Sequence, residues 1–200
     1  EQTVTITGGA FNGAEADLYV TSKGGNGTTA NRIIAIAGGT FDHNPDATYI
    51  ATGYEAKDNN NGTWTVSEKT NVTLVAQVGV NKYETLADAL AAAKNDDTVT
   101  LVADTTPLTG SVEINKSITL DLNGKTINYT GDNQNTATQT HRALNVTGSK
   151  VTIKNGSITT TVTGTDYSTE FDAVVVKSGA EVTLEDMSIT INDAKGSCLY

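Results

Sequence analysis

The sequence predicts an all-β fold: a right-handed parallel β-helix, a solenoid of about 30–31 residues per coil, with one short capping α-helix near residues 85–94. Three observations predict it. Two internal repeats have the length of one coil, the apolar residues are mainly Val, Ile, Leu and Ala with only 6% aromatics, and Asn-Gly pairs recur where corners are needed. A fixed period of this size marks stacked supersecondary units, none of which buries its apolar face alone.

The repeat in the second half carries most of the argument. Leu120, Leu122 and Ile127 in "TLDLNGKTI" are matched 31 residues later by Val151, Ile153 and Ile158 in "VTIKNGSI", and after 31 more by Val182, Leu184 and Ile189 in "VTLEDMSI". Apolar residues two apart are strand alternation, and the third follows an Asn-Gly or Glu-Asp turn. The segments "SVEIN", "RALNVTG" and "AVVVKSG" supply a further strand per copy. In the first half the period is 30: Val4, Ile6, Gly8, Gly9 and Phe11 recur as Ile34, Ile36, Gly38, Gly39 and Phe41. Another step of 30 reaches Trp64 and Val66, without the glycine pair.

Stacking equivalent strands about 4.8 Å apart buries a continuous apolar stripe. The expected columns are Leu120, Val151 and Val182 inside, with Asp121, Thr152 and Thr183, and Asn123, Lys154 and Glu185, outside, so that no register stacks two carboxylates. Corners at Asn12-Gly13, Asn26-Gly27, Asn61-Gly62, Asn123-Gly124 and Asn155-Gly156 suit positive φ. An antiparallel sandwich also uses alternation and Asn-Gly turns, but regular 31-residue spacing favours the solenoid.

The bulk numbers bound the function. Two hundred residues with 37% apolar content allow one or two domains with a real core. A net charge of −10 repels phosphate backbones and anionic lipid, which argues against nucleic acid and membrane-surface partners. A single cysteine, Cys198, forms no internal disulfide, so burial and backbone hydrogen bonds must hold the fold. The chain has no run of eighteen apolar residues and no basic-then-apolar leader, so membrane insertion is not expected. Starting and stopping in strand-like sequence, it reads as a fragment of something longer.

One segment departs from the pattern. In "YETLADALAAAKNDDTV", Thr85 and Asp88 make an N-cap pair, Leu86, Ala89, Leu90 and Ala93 recur at helical spacing, and Asn95 can close the C-terminus. Such a helix suits the open end of a solenoid, so residues 1–76 read as the closing coils of one module and 77–200 as the cap and first coils of a second. One continuous β-helix is the alternative. The phrases "VGVNKYETLADALAAAKNDDTVTLVADTT", "INKSITLDLNGKTI" and "IAGGTFDHNPDATYIATGYEAKDNNNGTWTV" resemble pectate-lyase-like right-handed parallel β-helix repeat modules of cell-surface proteins from gut Firmicutes. The resemblance covers most of residues 31–200. It implies an extracellular setting, secreted or on a bacterial cell surface, and it carries no catalytic signature.

Polygalacturonate-cleaving β-helices use clustered carboxylates, and the sequence offers a few candidates. Asp166, Glu170 and Asp172 lie together, Glu185 and Asp186 are adjacent, and alternation is expected to turn Asp121 and Asp172 outward, where an acidic protein carries carboxylates anyway. The basic partner is missing: Arg32 and Arg142 stand outside any repeated carboxylate context. His43 and His141 are far apart with no zinc-ligand spacing, and no serine sits in a nucleophile motif. Asp96, Asp97 and Asp104 suit calcium less well than a turn after the helix. For glycans, Trp64, Tyr54, Tyr49, Tyr129 and Tyr167 are the aromatic candidates, against a reading in which Phe11 and Phe41 stack inside and the tyrosines cover core edges. Asn-x-Ser/Thr triplets such as Asn71-Val72-Thr73 follow from composition.

The expectation is therefore a non-enzymatic extracellular spacer or adhesin shaft whose partners are neighbouring modules of its own polypeptide, with no catalytic, cofactor-binding or metal residue to assign. Two alternatives stay open. One is a carbohydrate-binding or polysaccharide-degrading β-helix that meets glycans or a host surface through its insertions Thr130 to His141 and Thr163 to Asp172. The other is a filament subunit associating end to end through edges at Gln2 to Thr7 and Glu181 to Ile191.

Overall fold

The computed structural model describes residues 2–13, 18, 32–131, 141–161, 171–192 and 196–200. The chain is mostly β, with stacked parallel coils that make a β-solenoid of about 5 turns. Its strands are β1 (Gln2–Ile6), β2 (Ala10–Phe11), β3 (Arg32–Ile36), β4 (Gly39–Phe41), β5 (Tyr54–Asp58), β6 (Trp64–Glu68), β7 (Ala76–Val78) and β8 (Asn81–Tyr83). After the helix α1 (Leu86–Ala92) come β9 (Thr98–Leu101), β10 (Val112–Ile114), β11 (Thr119–Asp121), β12 (Thr126–Tyr129), β13 (His141–Val146), β14 (Lys150–Thr160), β15 (Phe171–Val176), β16 (Glu181–Ile191) and β17 (Gly196–Leu199). Two compact units result, Glu1–Val72 with Val80–Lys82, and Thr73–Gly79 with Tyr83–Tyr200.

In the first unit the 30-residue repeat is a true coil. β1 lies parallel on β3 with Val4 beside Ile34 and Ile6 beside Ile36, and β2 on β4 puts Phe11 beside Phe41. The two rings stack inside with centroids 4.9 Å apart, next to a core of Ile6, Ile36, Phe41 and Val66. Glycine at 38 is a steric demand of the stack, since any Cβ there would collide with the Thr7 carbonyl of the coil below. The third copy is corrected. Trp64 pairs with Phe41 and Val66 with Gly39 in antiparallel sense, because the chain after Asp58 turns at Asn60 (φ 58°) and Gly62 (φ 84°) and returns as a hairpin. A strand lacking the glycine pair thus covers the exposed edge of β4 instead of adding a coil.

In the second unit α1 packs against β7, β9 and β10 and buries Leu86, Ala89 and Leu90. Thr85 caps it as expected, accepting from the Asp88 N–H at 3.1 Å and donating to Asp88 Oδ2 at 2.6 Å. Its other end is closed differently. Lys116 Nζ donates to the carbonyls of Leu90 (3.2 Å) and Ala91 (2.6 Å), a cation at the negative end of the helix, while Asn95 accepts from the Ser117 N–H.

The coils above are parallel, with a revised register. Val151 lies beside Val182, but Leu120 sits beside Ile153, two places further than the expected Val151, and Ile153 sits beside Leu184. Ile127, Ile158 and Ile189 align as expected. The cause is the corner. Four residues, Leu122–Lys125, separate β11 from β12, where Asn155 and Gly156 alone make the bend inside β14. The longer corner folds under the shorter: Leu122 N–H donates to Lys154 O and Gly124 N–H to Asn155 O. A displacement of two preserves the face of every side chain, so Leu120, Ile153 and Ile158 remain fully buried. The outward columns become Thr98, Thr119, Thr152 and Thr183, and Thr100, Asp121, Lys154 and Glu185. Two carboxylates therefore do share one column, with a lysine between them. β16 pairs only with β14 among the described residues, and its inward Val182, Leu184, Met187 and Ile189 are half-buried.

Candidate functional site

The second unit has two walls, and the outward face of one holds Asp121 and Glu185. On that face Thr98, Thr119, Thr152 and Thr183 stack in register beside the charged column. Lys154 Nζ stands 3.9 Å from Asp121 Oδ2, and Asn155 Nδ2 donates to Asp121 Oδ1 at 3.1 Å. Asp121 also accepts from the Asn123 N–H at 2.9 Å. Its oxygens are thereby committed to the corner and to the next coil. The threonine ladder was not singled out from the sequence, although each of its four members precedes an apolar residue in "TVT", "TLD", "TIK" and "TLE".

Asp172 is the correction of most consequence. It is only 2% exposed, in the alternation of Val174 and Val176 on β15, and lies beside Arg142 in register on β13. The expected outward carboxylate is thus a buried one next to an arginine whose Nε is itself buried without a hydrogen-bond partner. The sequence missed this because "DAVVV" does not alternate and its parity cannot be read. Three residues along β13 from Arg142, Asn145 Nδ2 donates to both Glu113 carboxylate oxygens at 2.7 and 2.8 Å.

The other carboxylates serve backbone geometry. Asp97 Oδ2 accepts from the Lys94 N–H at 2.7 Å, Asp104 Oδ1 from the Thr126 N–H at 2.8 Å, and Asp96 adopts φ 70° in the turn. Asp186 takes φ 50° at the corner after Glu185, and both are exposed. Asn71 (φ 68°) is likewise an exposed turn residue. Among the described residues no group of three His, Cys, Asp or Glu is placed to hold a metal ion. Nor is any helix there long and apolar enough to cross a membrane.

The aromatic candidates divide in the same way. Tyr129 is 2% exposed in the core of the second unit, and Trp64, Tyr54 and Tyr49 pack against that of the first. Lys82 Nζ lies 5.9 Å over the Tyr54 ring and is hydrogen-bonded to Glu68, which raises its pKa. His43 is exposed, while His141 opens β13 beside Phe171. Arg32 opens β3, and Cys198 is an exposed free thiol on β17. Asp166, Glu170, Tyr167 and the Asn26-Gly27 corner lie outside the described residues, as do 132–140 and 162–170, most of both insertions. No family model, curated protein or solved structure matches the chain.

Proposed function

We propose that the chain is a stiff, non-enzymatic extracellular spacer, a piece of a pectate-lyase-like right-handed β-helix module of the kind carried by cell-surface proteins of gut Firmicutes. The observation that supports this reading is the unbroken inner column of Val99, Leu120, Ile153 and Leu184, bordered by outward carboxylates that are engaged in corners and turns. In a solenoid each coil touches only its neighbours, so length is gained coil by coil without a new core. A net charge of −10 keeps such a shaft soluble and away from anionic surfaces. Neighbouring modules of the same polypeptide are its partners. A glycan-binding role has less support, because Tyr129, Trp64, Tyr54 and Tyr49, the described aromatic candidates, pack in or against the cores. The test is incubation of the chain with polygalacturonate, xylan and mixed glycans. No new reducing ends and no retardation in affinity gels are expected; turnover, or saturable retention by one polymer, would overturn the spacer reading.

A further inference from the structure

We propose that Asn61-Gly62, at the tip of the hairpin joining β5 and β6, is a self-modifying site that converts to aspartate and isoaspartate while two other Asn-Gly corners in the fold stay locked. Asn61 Oδ1 accepts two hydrogen bonds, from the Thr63 N–H at 3.1 Å and from Thr63 Oγ1 at 2.7 Å. Both donors polarise the carboxamide carbon, and both remain in place to hold the negative charge that appears on Oδ1 when that carbon is attacked. The nucleophile is the next backbone nitrogen. Gly62 is exposed, has no heavy atom within 4 Å of where a Cβ would be, and its N–H has no acceptor among the described residues. A glycine there also removes the Cβ that would hinder the backbone rotation required.

The step balances with water as the only co-reactant. Deprotonated Gly62 N bonds to Asn61 Cγ, the Cγ–Nδ2 bond breaks, and Nδ2 leaves as ammonia with a proton from solvent. Water then opens the succinimide at either carbonyl. Cleavage of the N–Cγ bond gives aspartate, and cleavage at the backbone carbonyl gives isoaspartate, with the chain running through Cγ.

Two other described corners, Asn123-Gly124 and Asn155-Gly156, lack these freedoms. Asn123 Nδ2 is tied to Leu101 O at 3.2 Å, and the Gly124 N–H donates to Asn155 O at 2.6 Å. Asn155 Nδ2 is tied to Asp121, and Gly156 lies within β14, so tightly packed that a Cβ would come 2.6 Å from Lys125 O. Conversion at 61 adds a carboxylate near Asp58 and one backbone atom to the hairpin that closes the edge of β4. The first unit therefore changes with age and the second does not.

The experiment is incubation of the intact 200-residue chain at mildly alkaline pH, followed by tryptic mapping and isoaspartyl methyltransferase labelling. In the folded chain the peptide spanning residues 58–69 should convert, at Asn61, at least about tenfold faster than those spanning 117–125 and 155–177, and in urea the three rates should converge. Thr63→Val, which removes the hydroxyl donor, should slow the folded chain about threefold or more, and Thr63→Ser should retain the rate. Equal folded rates at 61, 123 and 155, or a Thr63→Val variant as fast as the parent with unchanged circular dichroism, would overturn the proposal.

Discussion

The wall made by β11, β12, β14 and β16 and the wall made by β10, β13, β15 and β17 belong to the same coils but follow different rules. On the first the step is 33 from Leu120 to Ile153 and 31 from Ile127 to Ile158, a difference taken up at the corner, and β14 and β16 then keep 31 from Lys150 beside Glu181 to Thr160 beside Ile191. On the second the step is 32 from Val112 to Leu144, 30 from Leu144 to Val174 and 25 from Val174 to Leu199. The even wall has aliphatic side chains facing in and threonines and charges facing out. The uneven wall sets Arg142 beside a buried Asp172 and buries Ala143 and Ala173 in the same core as Leu144 and Val174. A step that changes only by two, and only at a corner, lets each coil reuse the solution of the one below. Where the step varies more widely, the strand must be solved afresh, and polar residues enter the interior.

The largest effect should come from the even wall. Ile153, fully buried between Leu120 and Leu184, should lose about 2–5 kcal/mol on replacement by alanine, measured by urea denaturation, and a loss below that of a surface change would mean the column is not continuous. Close behind, Asp172→Ala should cost about 2 kcal/mol by stripping a buried carboxylate from its surroundings, whereas the half-exposed Asp121→Ala should cost under about 1 kcal/mol. Equal losses would remove the distinction between the walls. At the corners, Gly156→Ala drives a Cβ into Leu122 and Lys125 and should cost about 2 kcal/mol. Gly124→Ala meets no atom and pays only for φ 74°, about 1 kcal/mol; the reverse order in thermal denaturation would contradict the register.

The smallest effect is alkaline. The hydrogen bond to Glu68 raises the Lys82 pKa, and burial, aided by the charge of Asp97, raises that of Tyr83. Both groups hold their protons more tightly folded than unfolded. The stability they contribute is therefore complete below the unfolded values of about 10, and is lost as pH rises through the folded ones. Urea midpoints between pH 8 and pH 11, as an order-of-magnitude window about the unperturbed values, should fall less steeply in Glu68→Gln and Tyr83→Phe variants; unchanged slopes in both would contradict this account.

What could be read from the sequence follows the same division. Val4 on Ile34, Phe11 on Phe41, Val151 on Val182 and the Thr85 cap all rest on local spacing, which packing then reused. The place of Leu120 was hidden because corners of four and of two residues both contain Asn-Gly. Asp172 was misjudged because three consecutive valines follow Ala173, and in such a run the inward face is chosen by contacts distant in sequence. Trp64 and Val66 kept the period but not the sense, since strand direction depends on the turn before a strand and not on its own residues. The closure of α1 by Lys116 likewise joins residues 25 and 26 apart, beyond any helical motif.

The bend at Leu122–Lys125 has a consequence for how such chains lengthen. A corner that takes up residues in pairs is a safe place for growth, because the lining of the coil still faces its own kind. A single added residue would turn that coil inside out, presenting threonine to the interior and isoleucine to water. Coil length in this architecture is thus free to drift, but only in even steps wherever a strand runs directly into its corner.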